Sequence, residues 1–157
     1  MIRHSGFPRR KQNGASAVEL ALILPILVAM TSAPLFVAIF YWHYTAAQKA
    51  AYDAARYLAT ISEAEMRRPV LALAARDTAA AIVNAEIAEL GFRDAPAKIT
   101  FVCGAANYCD GVGSQPLPPT ITVGVQLFVR DTLFNQFDTG EFGWSIATTA
   151  TVRYTGK

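Results

Sequence analysis

From Leu20 to Tyr44 the chain contains no ionisable side chain except His43 and tyrosine, and no other feature limits its fold so strongly. As a helix, Leu20–Trp42 spans about 34 Å at roughly 1.5 Å per residue. That is enough to cross a hydrocarbon core about 30 Å thick with some tilt. The run exceeds the 7–15 apolar residues typical of a secretory signal. A small-residue site stands at Thr31-Ser32-Ala33, but Pro34 would follow the cut and disfavours cleavage there. The reading is an uncleaved membrane helix at residues 20–42.

Charge sets the direction of this helix. The chain carries 14 Lys and Arg against 12 Asp and Glu over 157 residues. Arg3, Arg9, Arg10 and Lys11 all precede Gly14, with no acid among them. Basic residues ahead of the span favour a cytoplasmic N-terminus, so everything after Tyr44 is expected outside the cytoplasm. The rest is weakly acidic, with no basic face or basic–aromatic stripe, which argues against nucleic-acid binding.

Beyond the membrane, Thr45–Ser62 has neither Gly nor Pro and is rich in alanine, the strongest helix former. The helix should therefore continue as a rod through residues 15–62. Ala47, Ala51, Ala54, Ala55 and Leu58 form a small-residue seam suited to packing against other helices. Lys49 and Asp53, four apart, can pair across a turn. Ser62-Glu63-Ala64-Glu65 has the form of a capping box and announces a second helix, with a start nearer Arg67 or Arg68 allowed by Pro69. Val70, Leu73, Ala74, Ile82, Val83, Ile87 and Leu90 recur at helical spacing, and Gly91 offers a stop.

After Asp94-Ala95-Pro96 the period becomes two. Ile99, Phe101 and Cys103 share one parity. Ile121, Val123, Val125, Leu127 and Val129 share another, as do Trp144, Ile146, Ala150, Val152 and Tyr154. Three such runs predict an antiparallel sheet with one buried face, covered by the second helix. The expected class is α+β: a long N-terminal transmembrane helix, then a second helix packed on a small three-stranded antiparallel sheet.

Catalytic chemistry finds few carriers. His4 lies in the basic stretch, and His43, among Tyr41, Trp42 and Tyr44, reads as part of an interfacial aromatic belt. No phosphate loop, H-E-x-x-H or G-x-S-x-G motif is present. No metal site or cofactor is expected, and no enzymatic activity. Cys103 and Cys109, with five residues between them in FVCGAANYCDG, lack further zinc ligands nearby. Outside the cytoplasm a disulfide is their natural state, with Gly104 and Asn107 helping the loop to turn. Pro25 and Pro34 each remove an N–H, weakening bonds to the carbonyls of Ala21 and Met30. Thr31 and Ser32 could partly satisfy what is freed, leaving tolerated kinks; the functional alternative is a helix able to bend on leaving the bilayer.

Glu19 remains. A carboxylate at a membrane-helix centre costs roughly 2.5–3.5 kcal/mol, less near the interface, and needs a partner. Gly14, small residues, Glu19 five positions on and an apolar helix resemble a class III signal of the type IV pilin group. The resemblance implies a prepilin peptidase cutting on the cytoplasmic side after Gly14, releasing the basic leader 1–14 and making Ala15 the new N-terminus. Its amine would then pair with Glu19, within one subunit or between neighbours; otherwise Glu19 merely snorkels to the interface. GASAVELALILP followed by AAQKAAYDAARYLATIS further resembles the TadE-like family of minor pilins or pseudopilins. Ala17, Val18, Glu19, Leu20, Ala21 and Pro25 match its first part, and Ala54, Ala55, Arg56 and Tyr57 its second. Ala15 departs from ordinary type IV pilins, which usually carry Phe after the glycine.

The resemblance implies a single-pass inner-membrane protein with a periplasmic domain at 63–157, acting in tight-adherence (Flp) pilus assembly and open to incorporation in the pilus. Its implied partners are the lipid bilayer, prepilin peptidase, other pilin or pseudopilin subunits and the tight-adherence platform. The alternative is a membrane-anchored extracytoplasmic binding module unrelated to pili, with Gly14 uncut.

Overall fold

The computed structural model describes residues 14–91, 97–104, 109–131 and 143–156. The leader before Gly14, Asp94-Ala95-Pro96 and the turn at Asn107 lie outside the described residues. The order is α1 (Ala15–Thr60), α2 (Glu63–Arg67), α3 (Pro69–Ala88), β1 (Lys98–Cys103), β2 (Thr120–Val129) and β3 (Trp144–Arg153). The fold is α+β, with a long helix, a second major helix and one antiparallel sheet of order β1-β2-β3. Two compact units divide the chain, Met1–Leu35 and Phe36–Lys157.

Alternation decides the sheet. Ile99 pairs with Val125 and Phe101 with Val123, while Leu127 pairs with Ile146 and Val123 with Ala150, all on one face. Ile121, Val123, Val125, Leu127, Val129 and Ile146 are buried there. The opposite face is polar and rich in threonine, and Thr122 and Thr151 join their hydroxyls at 2.8 Å. At Gly124 on that side, a Cβ would stand 2.5 Å from the Thr100 hydroxyl, which would have to shift to admit it.

The apolar face is covered by the long helix as well as by the expected second helix. The seam of α1, Ala47, Ala50, Ala51, Ala54, Ala55, Leu58 and Ala59, joins the same core as the strands and α3. This face packs within the chain, against α3 as well as the sheet. Alanine loses almost no side-chain entropy on burial, so an alanine face suits a helix laid on a sheet. Lys49 ties α1 to α3 through Glu86 at 3.2 Å and also reaches Asp53 at 3.4 Å. Both acids hold its ammonium above the ordinary lysine value, Glu86 contributing most.

The second helix is two helices. Ser62 caps α2 with a complete capping box, its backbone N–H donating to Glu65 at 2.9 Å and its hydroxyl accepting from the Glu65 N–H at 3.3 Å. α2 ends after five residues because Arg68 precedes proline and takes the extended conformation (φ −95°, ψ 117°). Pro69 then opens α3 as its first residue, where a missing N–H costs nothing. The buried stripe of α3 is Ala72, Ala75, Ala79, Val83 and Ile87. Val70 is 79% exposed, and Leu73 and Ala74 also fall off the stripe. Gly91 follows in the left-handed conformation, φ +76°.

Candidate functional site

α1 begins where a small-residue segment permits a helix to start. The Val18 N–H donates to the Gly14 carbonyl at 3.2 Å, so Gly14 stands just before the first turn and Ala15 is the first helical residue. Gly14 is exposed, and a Cβ there would meet nothing within 4 Å. Glu19 follows one turn later, also exposed, with no ion pair among the described residues. The segment therefore presents an exposed glycine just before the helix and an exposed carboxylate one turn inside it.

Beyond Glu19 the helix surface is apolar on every side. Leu20, Leu22, Ile23, Leu24, Ile26, Leu27, Val28, Met30, Leu35 and Val37 are all exposed, Met30 by 75%. Ordinary water-facing surfaces do not carry so long an apolar sleeve, and a lipid environment accounts for it. Among the described residues this is the one helix long and apolar enough to cross a membrane. Pro25 and Pro34 lie inside it without ending it. The Thr31 hydroxyl donates to the carbonyls of Leu27 and Val28, and Ser32 to that of Ala29. These hydroxyls serve carbonyls one turn back and do not reach the Ala21 and Met30 carbonyls that the prolines leave short.

His43 is turned inward instead of joining an exposed aromatic belt. It is 9% exposed, and its Nδ1 lies 2.6 Å from the Ile39 carbonyl, which makes Nδ1 the donor. The rings facing outward here are those of Tyr41 and Trp42.

In the second unit the polar groups serve structure. Cys103 and Cys109 form a disulfide with Cα atoms 5.2 Å apart, both nearly inaccessible. The segment after Cys109 clamps the α2–α3 corner. Asp110 pairs with Arg76, Val112 donates to the Met66 carbonyl at 3.0 Å, and Arg67 donates to the carbonyls of Gly113 and Gln115. Gly111 has φ +99°, and a Cβ would fall 2.8 Å from Pro69 Cα. At the other end Tyr154 donates to the Ile61 carbonyl and Thr155 to that of Ala59, supplying acceptors' partners where α1 has none of its own. Burial and the nearby Glu63 and Glu65 raise the Tyr154 phenol above its ordinary value.

Sequence reasoning missed Arg76, Asp110 and Gly111, and the reach of Arg67 to Gly113 and Gln115, because those partners lie tens of residues away; a local hint was the glycine two residues after the second cysteine. A cleft of about 430 Å³ is lined by Thr45, Gln48, Lys49, Tyr52, Thr149, Ala150 and Thr151. Its charged group, Lys49, is already engaged by two carboxylates. No group of three or more His, Cys, Asp or Glu among the described residues could hold a metal ion.

A family model described as TadE-like protein matches residues 14–56. The match begins at Gly14 and covers Glu19, both helix prolines and most of the alanine seam. No curated protein and no solved structure matches the chain.

Proposed function

We propose that this chain, a member of the TadE-like family by its residues 14–56, is a minor pilin or pseudopilin acting in assembly of a tight-adherence pilus. The coarser statement, a membrane-anchored TadE-family protein, rests on the family match and on the long apolar helix near the N-terminus. The finer reading is carried by one juxtaposition: an exposed Gly14 immediately before the helix and an exposed Glu19 one turn inside it.

In this reading prepilin peptidase cuts between Gly14 and Ala15 on the cytoplasmic side, and the domain after the span lies in the periplasm. The cut creates a cationic amine one turn from Glu19. In a low-dielectric setting the pair removes much of the cost of either charge alone. Made between neighbouring subunits, it sets their axial register. Because the alanine seam is buried within the chain, subunit contacts come from the apolar sleeve of Val18–Val37. The chain contributes no catalysis; its chemistry is that of a processed, packed subunit working with other pilin subunits and the assembly platform.

N-terminal sequencing of the protein recovered from membranes tests this. Ala15 as first residue is the expected result. An intact Met1 would overturn it in favour of an anchored extracytoplasmic module with no processing.

A further inference from the structure

The hydrogen-bond pattern of the sheet fixes which backbone groups of β3 face outward. Tyr154 donates its N–H to the Pro119 carbonyl at 3.1 Å, and Gly104 donates to the Thr120 carbonyl at 2.8 Å. Neighbouring residues of β2 thus serve opposite strands, as an antiparallel ladder requires. Followed back from Tyr154 through Ile121↔Val152, Val123↔Ala150 and Val125↔Thr148, the ladder to β2 uses Val152, Ala150 and Thr148. Ala147, Thr149, Thr151 and Arg153 turn both backbone groups away from it. β3 is the last strand in the order β1-β2-β3, and among the described residues nothing bonds to those groups.

Strand edges are ordinarily blunted by charge, proline, a bulge or shortness. Residues 145–152 contain no Lys, Arg, Asp, Glu or Pro, and the ten residues of β3 pair one for one with β2. β1, by contrast, has six residues, opens with Lys98 and ends in the disulfide. Beside the β3 edge lies the cleft of about 430 Å³, its helix wall carrying Gln48, Lys49 and Tyr52 and its strand wall Thr149 to Thr151. Such an edge takes up an extended peptide as an added strand, main-chain bonds giving affinity and the adjoining pocket specificity.

Charge identifies the occupant. α1 and β3 run the same way here, since the cleft joins residues 45–52 to 149–151 and, further along both, Thr155 donates to the Ala59 carbonyl. Arg56 and Arg153 fall between the cleft and that tie. Both are exposed, and neither has a salt bridge among the described residues. Lys49, on the cleft itself, is already offset by Asp53 and Glu86. One end of the groove is therefore basic and unbalanced. We propose that the β3 edge binds an extended segment of a partner protein as a fourth strand, with carboxylates at the end that meets Arg56 and Arg153. This docking depends neither on cleavage at Gly14 nor on a role in pilus assembly.

The probe is a fluorescein-labelled peptide of alternating valine and threonine ending in two glutamates, titrated into the full-length protein in detergent micelles. Saturable binding is expected, with the Thr149 and Thr151 amides gaining protection from hydrogen exchange while those of Ala150 and Val152 stay as slow as before. Arg56→Gln with Arg153→Gln should weaken binding roughly fivefold. Thr149→Pro removes an outward N–H that the β2 ladder does not use, so the fold should persist while binding is lost. A peptide N-methylated throughout cannot donate to the edge, which tests pairing without altering the protein. Should it bind as well as its parent, or should the parent not bind at millimolar concentration, the added strand is overturned. Equal affinity for a peptide ending in two lysines would overturn the acidic occupant. Protection of Thr149 and Thr151 that grows with protein concentration, peptide absent, would overturn the proposal in favour of a second copy on the same edge.

Discussion

Glu19 is the residue on which the functional reading turns. Glu19→Ala makes the helix more apolar, so membrane insertion and cleavage after Gly14 are expected to persist while assembly falls. Co-purification with other pilus subunits, measured beside the mature mass, checks this; unchanged assembly would return Glu19 to simple snorkelling. Gly111 makes a structural claim. Gly111→Ala forces a side chain into a φ of +99° against the Pro69 backbone. Its expected cost is on the order of 2 kcal/mol in denaturant unfolding. Glu65 gives a pH signature. Hydrogen bonds from the Ser62 hydroxyl and then the Ser62 N–H lower its carboxyl below the ordinary value of 4.5. A lowered folded value means that the capping box is fully present above the unfolded value and is lost as pH falls through the folded one. Amide exchange in α2 should therefore accelerate below about pH 4.5 in the native chain, and Glu65→Gln should flatten that dependence.

Among the elements, α1 does two jobs with two kinds of surface. Its first half is apolar all round and suits lipid or neighbouring helices. Its second half buries an alanine face with almost no exposure. Ala54→Leu is expected to overpack that face and lower domain stability by roughly 1–3 kcal/mol. Gln48→Leu, on the exposed side, should change stability by no more than about 0.5 kcal/mol. Thermal unfolding of both in detergent separates the possibilities: a stable Ala54→Leu protein that failed only in assembly would restore the seam to other subunits. At the α2–α3 corner the break belongs to the dipeptide Arg68-Pro69, and the clamp from Asp110–Gln115 holds it.

For the whole molecule, the disulfide joins the end of β1 to the segment that grips the α2–α3 corner. Closing so small a loop is worth about 2 kcal/mol in the chain-entropy model. Cys103→Ser with Cys109→Ser is expected to lower stability by about that amount and to leave assembly intact, because both cysteines are buried in this chain's core. Unfolding with and without reductant measures the first; pilus formation by the double variant measures the second. Thiol labelling without prior reduction would contradict an extracytoplasmic location for the domain.

The sequence by itself determined what local period and composition can carry. The three strands lie where period-two runs stand, since one buried face leaves no other register. The long helix, its membrane half and the Gly14–Glu19 pattern were legible because hydropathy, charge and small residues act along the chain. Even the α2–α3 break was written in Arg68-Pro69, though the capping box at Ser62 announced a single second helix. What tertiary structure alone decided is which surface meets which. Alanine is equally small against a partner subunit or its own sheet, so the seam of α1 carried no address. The stripe of α3 follows its smaller residues at the start, leaving Val70 outside, because the neighbour's shape and not hydrophobicity selects the face. Tyr154 and Thr155 reach back to Ile61 and Ala59, and Trp144 to Phe36, across distances in sequence where no period survives. His43 turned inward for the same reason: burial belongs to the surroundings a side chain finds after the chain has folded.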